Sequence, residues 1–164
     1  MINHQFSPKT MYQGKYLLST DADKLDVDLI HDFLSNQSYW AKGVSREKVL
    51  RSMQHSLCFG VYVIDPVRDR QVGFARVVTD FATFAYLADV FILDAHRGQG
   101  LGKWLVNCIL AHPELQELRR WVLFTQDAHT LYTRFGFRQI DEPQNALYFR
   151  PAWKEAEQSL IRQE

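Results

Sequence analysis

The chain has 164 residues, 46% apolar and 23% charged, enough to build one domain around a full hydrophobic core. Its 19 basic and 19 acidic residues cancel, which argues against a nucleic-acid partner, because binding a phosphate backbone calls for a basic excess. No apolar run approaches the roughly 20 residues of a membrane span, and Met1–Pro8 is polar without a hydrophobic signal core, so no membrane association and a cytoplasmic location are expected.

Residues 1–14 are polar, contain Pro8 and Gly14, and are expected to form a peripheral lead-in. Lys15–Thr20 reads as a first strand. Asp21 or Asp23 could cap a helix in which Leu25, Leu29, Ile30, Phe33 and Leu34 recur at helical spacing. Asn36–Gly43 breaks that helix into a loop holding two large aromatics, Tyr39 and Trp40. Ser45 is the candidate N-cap of a second helix through Val49, Leu50 and Met53. The β-branched and aromatic content of Leu57–Ile64 marks a strand, Asp65–Arg70 a turn, and Gln71–Thr79 its returning partner. Phe81–Phe84 leads into Tyr86–Leu93, so three strands follow one another as a meander. The helix that comes next is stopped at His112-Pro113-Glu114. Arg120–Thr125 reads as a strand and Asp127–Phe135 as a short helix closed by Gly136. Two last strands, Phe137–Ile140 and Ala146–Phe149, flank Asp141-Glu142-Pro143. The polar tail, Trp153–Glu164, is a candidate helix. With no repeat and no linker, residues 1–164 are expected to be a single domain, with 1–14 and 154–164 peripheral.

Two cysteines, Cys58 and Cys108, lie in apolar segments with no C-x-x-C or Cys/His ligand spacing. They read as small buried hydrophobes, and no metal is expected.

The chain is organised around Tyr86–His112. An apolar strand ends in a polar turn, Asp94-Ala95-His96, and Arg97-Gly98-Gln99-Gly100-Leu101-Gly102-Lys103 then opens an amphipathic helix. This order sets backbone N–H groups, unobstructed by side chains, at the positive end of a helix, which suits an anion and above all a phosphate. A dinucleotide fingerprint does not fit, because the three glycines alternate. A Walker loop does not fit either, because Lys103 lacks the upstream glycine and Trp104 stands where Ser or Thr belongs.

Arg97-Gly98-Gln99-Gly100-Leu101-Gly102 resembles the Q/R-x-x-G-x-G/A element of the GNAT acyltransferases, the superfamily related to histone acetyltransferases. Ala128, Leu131-Tyr132 and Phe135-Gly136-Phe137 resemble its second signature, A-x-x-L-Y-x-x-x-G-F. The resemblance implies the GNAT fold: α+β, a mixed, mostly antiparallel sheet of about six to seven strands flanked by about four helices. It implies transfer of an acetyl group from acetyl-CoA, as co-substrate, to a primary amine, with a small molecule as the expected acceptor. The backbone of Gly98, Gln99, Gly100, Leu101, Gly102 and Lys103 would hold the pyrophosphate, with charge from Arg97 and Lys103. Val90, Phe91 and Ile92 would pair with the pantetheine arm. Where many relatives carry an asparagine against that arm, this chain has Thr125.

The same resemblance points to Tyr132 as the group at the departing sulfur. A phenol of pKa about 10 is a weaker acid than a thiol of about 8.5, so full proton transfer from it is uphill by about 2 kcal/mol. Hydrogen bonding is the expected main role. An alkylamine of pKa about 10.4 costs about 4.6 kcal/mol to deprotonate at pH 7, so a base would help. Asp89, the only acid in the central strand, is one candidate, and its alternative reading is a hydrogen bond to a neighbouring loop. Strand alternation puts Asp89 on the face of Leu87 and Phe91 unless the strand is bulged. His129 is a second candidate, and a water chain a third. Tyr39 and Trp40, with Phe81 or Phe84, could line an acceptor pocket for a partly apolar or cationic amine, or simply pack in the core. The chain is expected as a monomer or homodimer. The rival reading is a non-catalytic GNAT-like module that senses acyl-CoA.

Overall fold

The predicted meander is the centre of a six-stranded sheet, counted among residues 7–149, which the computed structural model describes. The strands lie in chain order: β1 (Thr10–Gln13), β2 (Tyr16–Ser19), β3 (Leu57–Val63), β4 (Arg70–Thr79), β5 (Phe84–Ile92) and β6 (Arg120–Val122). Neighbours are antiparallel except β5 and β6, which run parallel. The described residues divide into two compact units between Asp127 and Ala128, and the sheet belongs wholly to the first.

The described part of the lead-in holds a strand. Gln13 pairs with Tyr16 across Gly14-Lys15, a two-residue hairpin turn that Gly14 enters at φ +56°. This turn makes Thr10–Gln13 an edge strand. The helix expected from Asp21 is divided. Asp21 caps a single 3-10 turn, and Asp26 caps α1 (Val27–Asp32), its Oδ1 accepting from Leu29 N–H at 3.0 Å. The chain then widens into a π-type turn, Phe33–Gln37. Ser45 caps α2 (Arg46–Gln54) as expected, with its Oγ accepting from Lys48 N–H, a contact typically contributing about 1 kcal/mol.

Helices cover both sheet faces. On one, Ile30, Phe33, Leu34, Val49 and Met53 pack with Cys58, Phe74 and Phe91. Phe33 and Phe91 stack with ring centroids 3.8 Å apart. On the other lies α3 (Leu101–Leu110), whose Leu105, Val106 and Ile109 are fully buried. Burying each of these large side chains contributes about 1.5–3 kcal/mol.

Behind α3, His112 is buried; its ring meets Phe59 edge-on and its Nδ1 accepts the N–H of Glu114. Burial lowers its pKa below the ordinary imidazole value, the Glu114 carboxylate opposing this and Lys9 adding to it. The unfolded chain therefore takes up a proton that the fold resists, so this contribution is complete above about pH 6.5 and shrinks as pH falls below it toward the lowered native value. In thermal melts between pH 7 and pH 5, His112→Gln should flatten the acid-side decline in Tm relative to wild type. An unchanged decline would contradict a neutral buried imidazole.

In the second unit, α4 (His129–Tyr132) continues through a 3-10 turn, Thr133–Phe135, to Gly136 at φ +86°. The amide of Gly136 bonds back to Thr133 and that of Phe137 to Tyr132, the paired contacts of a Schellman cap. The two last strands do not form. Phe137 gives its amide to the cap, Arg138 pairs with Asp141, and Pro143 starts a 3-10 turn, so Phe137–Ile140 and Ala146–Phe149 stay outside any ladder. The candidate tail helix, Trp153–Glu164, lies outside the described residues.

Candidate active site

The glycine turn leaves its backbone open. Gly98 and Gly100 sit at φ +76° and +78°, a left-handed conformation costly for other residues, and nothing lies within 4 Å of where either Cβ would be. Gly100 is the N-cap of α3 and offers no side-chain hydrogen bond. Trp104 N–H is bonded to Gly100 C=O at 3.0 Å, which leaves the amides of Leu101, Gly102 and Lys103 as the donors a helix cannot satisfy internally. Lys103 is exposed beside them.

Two flanking side chains hold this turn. Arg97 donates from Nε to Ile92 C=O at 3.0 Å and from Nη1 to Asp94 at 2.9 Å, so it ties the turn to the end of β5. Gln99 Oε1 accepts from the Tyr16 hydroxyl at 2.8 Å, and His96 Nδ1 lies 3.2 Å from the same hydroxyl. Neither Tyr16 nor His96 carries a motif signal, and only the sheet brings Tyr16 to the turn.

The second feature is an open strand edge. β6 pairs with β5 only over Phe84–Tyr86, and beyond Tyr86 no strand among the described residues flanks β5 on that side. The edge includes Val90, Phe91 and Ile92, the residues expected to pair with an amide-rich ligand.

Within this edge β5 is bulged. Phe74 pairs with Phe91 and Arg76 with Ala88, so β5 spends one residue more than β4 over the same span. Asp89 carries the bulge at φ +54°, a conformation that Asp tolerates better than most residues. Alternation across the strand is inverted as a result. Leu87 pairs with Val77 on the α3 face, whereas Phe91 lies on the α1/α2 face, so Asp89 cannot share a face with both.

Asp89 points to the α1/α2 side, where both its oxygens are engaged. Oδ2 accepts from Arg76 Nε at 2.5 Å and Oδ1 from Trp40 Nε1 at 3.0 Å. Arg76 also reaches the Ser56 hydroxyl at 3.3 Å. Arg76 was not singled out from the sequence, although an arginine inside an apolar strand needs an acid, and Asp89 is the one its partner strand supplies.

Tyr39 anchors the same loop elsewhere. Its hydroxyl accepts the backbone N–H of Gln126 at 2.9 Å and lies 3.4 Å from Asp127 Oδ1. Thr125 Oγ1 is 3.5 Å from that same oxygen. Tyr39 and Trp40 meet edge to face with centroids 5.0 Å apart, both nearly half exposed. Phe84 is not brought to them; it begins β5, five residues before Asp89, about 17 Å along a strand. Phe81 lies in the β4–β5 loop at φ +60°.

Tyr132 is buried, its ring edge-on to Phe137 at 5.9 Å. The G-F pair therefore has a physical purpose in its own unit, because both the amide and the ring of Phe137 fix the residue before the cap. His129 opens α4 and is exposed. Burial pushes the Cys58 thiol up to about 12, with Arg76 opposing and Asp89 adding to the rise, and burial raises Cys108 as well. Neither thiol is available as a nucleophile. Among the described residues no group of His, Cys, Asp or Glu is arranged to hold a metal ion, and no helix is long and apolar enough to cross a membrane.

An uncapped glycine turn thus follows a bulged, open-edged strand, and comparison with known proteins decides the family. The acetyltransferase (GNAT) domain matches residues 55–139, just over half of the chain. The chain belongs to the GNAT acetyltransferase family. A Gibberella zeae protein named as an acetyltransferase is 34% identical over 143 residues, 76% of this chain and 80% of that protein. A GNAT-family crystal structure from Xanthomonas campestris pv. campestris is 47% identical, covers 85% of this chain and 96% of its own, and has a TM-score of 0.79. A Clostridium acetobutylicum acetyltransferase solved with acetyl-CoA is similar in fold, with a TM-score of 0.59, 14% identity, and coverage of 85% of this chain and 96% of its own. This GNAT chain is therefore an acyltransferase, and its six-stranded, mostly antiparallel sheet is the family's fold.

Proposed function

We propose that the chain transfers the acetyl group of acetyl-CoA directly to the primary amine of a small molecule, both substrates being bound together. The observation that carries this reading is the junction of β5 and α3. There, an open strand edge at Val90–Ile92 runs into a turn whose Leu101, Gly102 and Lys103 amides have no helical partner. Strand pairing suits the two amides of a pantetheine arm, and the helix terminus suits a pyrophosphate. Gly98, Gln99, Gly100 and Lys103 complete the phosphate side, and Thr125 stands in for an asparagine contact. Arg97 contributes by holding the turn. Direct transfer is favoured because Cys58 and Cys108, the chain's only cysteines, are buried and protonated, so neither can carry the acetyl group. Tyr132 serves the departing sulfur, and Tyr39 and Trp40 face the acceptor.

The test is release of free thiol from acetyl-CoA by purified protein across a panel of primary amines. Amine-dependent release with acetylated amine formed in equal amount is the expected result. Tight acetyl-CoA binding with no release on any amine would favour the sensing module instead.

A further inference from the structure

Asp89 is placed where a base is wanted, yet its surroundings describe a different task. We propose that Asp89 is a positioning residue. With Arg76 it fixes the indole of Trp40 and so sets the acceptor-side wall beside the bulge of β5. This rests on the acetyltransferase reading for its consequence, but not for its geometry.

Three observations carry it. The bulge at Asp89 takes the residue out of strand alternation and aims its carboxylate at the α1/α2 side, where the Tyr39-Trp40 loop lies. Both carboxylate oxygens are already hydrogen-bonded, one to a guanidinium and one to an indole. Taking a proton from an amine would convert an acceptor into a donor facing two donors, and would break the charge-assisted pair with Arg76. Finally, Trp40 is exposed on its outer side while its inner side rests 6.4 Å, centroid to centroid, from Phe33, which itself stacks on Phe91 of β5. Tyr39 meets the same ring edge to face, and the indole N–H bond to Asp89 is the polar contact that fixes how this half-exposed ring is turned.

Asp89→Asn is the natural variant, since asparagine also tolerates the left-handed backbone that the bulge requires. Trp40→Phe removes the N–H donor and keeps an aromatic ring. In proton–nitrogen spectra of the full chain, the Trp40 indole resonance, identified by its loss in Trp40→Phe, should move upfield and broaden in Asp89→Asn. With phenethylamine as the probe acceptor, each variant should raise KM for the amine by about tenfold, the scale of one hydrogen bond to a charged group. KM for acetyl-CoA should stay within about twofold. The double variant should lose no more than the worse single one. The acidic limb of the kcat/KM profile should persist in Asp89→Asn.

Loss of that limb in Asp89→Asn, with Trp40→Phe unaffected, would overturn the proposal and make Asp89 the base. An indole resonance that ignores Asp89→Asn would overturn it independently of any activity. If the protein releases no thiol with any amine, that failure belongs to the acetyltransferase reading, and the indole resonance still decides the placement of Trp40.

Discussion

Replacing Gly100 by valine is expected to weaken acetyl-CoA binding by about 100-fold, or about 2.7 kcal/mol, while leaving the protein folded. Gly100 sits at φ +78° with nothing within 4 Å of a Cβ, so the obstacle is the backbone and not space. A β-branched residue held there costs on the order of 1–3 kcal/mol. The turn sheds that cost by leaving the left-handed conformation, and with it goes the alignment of the Leu101, Gly102 and Lys103 amides. Gly14→Val is the control, because it imposes the same class of strain at φ +56°, also in open space, in the β1–β2 hairpin. Calorimetric titration should show acetyl-CoA affinity lost in Gly100→Val and kept in Gly14→Val. Equal affinities in both would remove the turn from the cofactor site.

The second large effect is on turnover. Tyr132→Phe should lower kcat by about 10- to 100-fold, the worth of one hydrogen bond to a developing thiolate, and leave KM for acetyl-CoA within about twofold. The phenylalanine ring keeps the edge-on contact with Phe137, and the Schellman cap uses only backbone groups. Because the thiol is the stronger acid of the pair, acetyl-CoA analogues with poorer thiol leaving groups should suffer more from the substitution. Wild-type turnover in Tyr132→Phe would end this role for the hydroxyl.

Much of this was legible in the residues. The meander showed in β-branched runs separated by Asp65-Pro66, Ser45 announced α2, and Gly136 closed the helix where its φ requires glycine. The glycine turn was legible because it depends on what is missing, namely side chains and caps. What escaped depends on pairing across the sheet. An extra residue in β5 cannot be seen in Tyr86–Leu93 alone, since a bulge is defined by the partner strand. Arg76 escaped for the same reason, since its acid lies 13 residues away on the neighbouring strand. The anchoring of Gln99 by Tyr16 spans 83 residues and has no local pattern. Conversely, Phe137–Ile140 had strand-like composition, but Phe137 had already given its amide to a helix cap. The Gly14-Lys15 hairpin was within reach, because a glycine leading a two-residue turn between Tyr12-Gln13 and Tyr16-Leu17 is a recognised signal.

The central claim is that one continuous stretch, from the open edge of β5 through the glycine turn, receives acetyl-CoA. Titrating acetyl-CoA into isotopically labelled protein and following backbone amides tests it most directly. The largest shifts should fall on Val90–Ile92 and on Gly98–Lys103, saturating together with a single affinity. Saturable shifts that avoid both segments, or that reach only one of them, would contradict it.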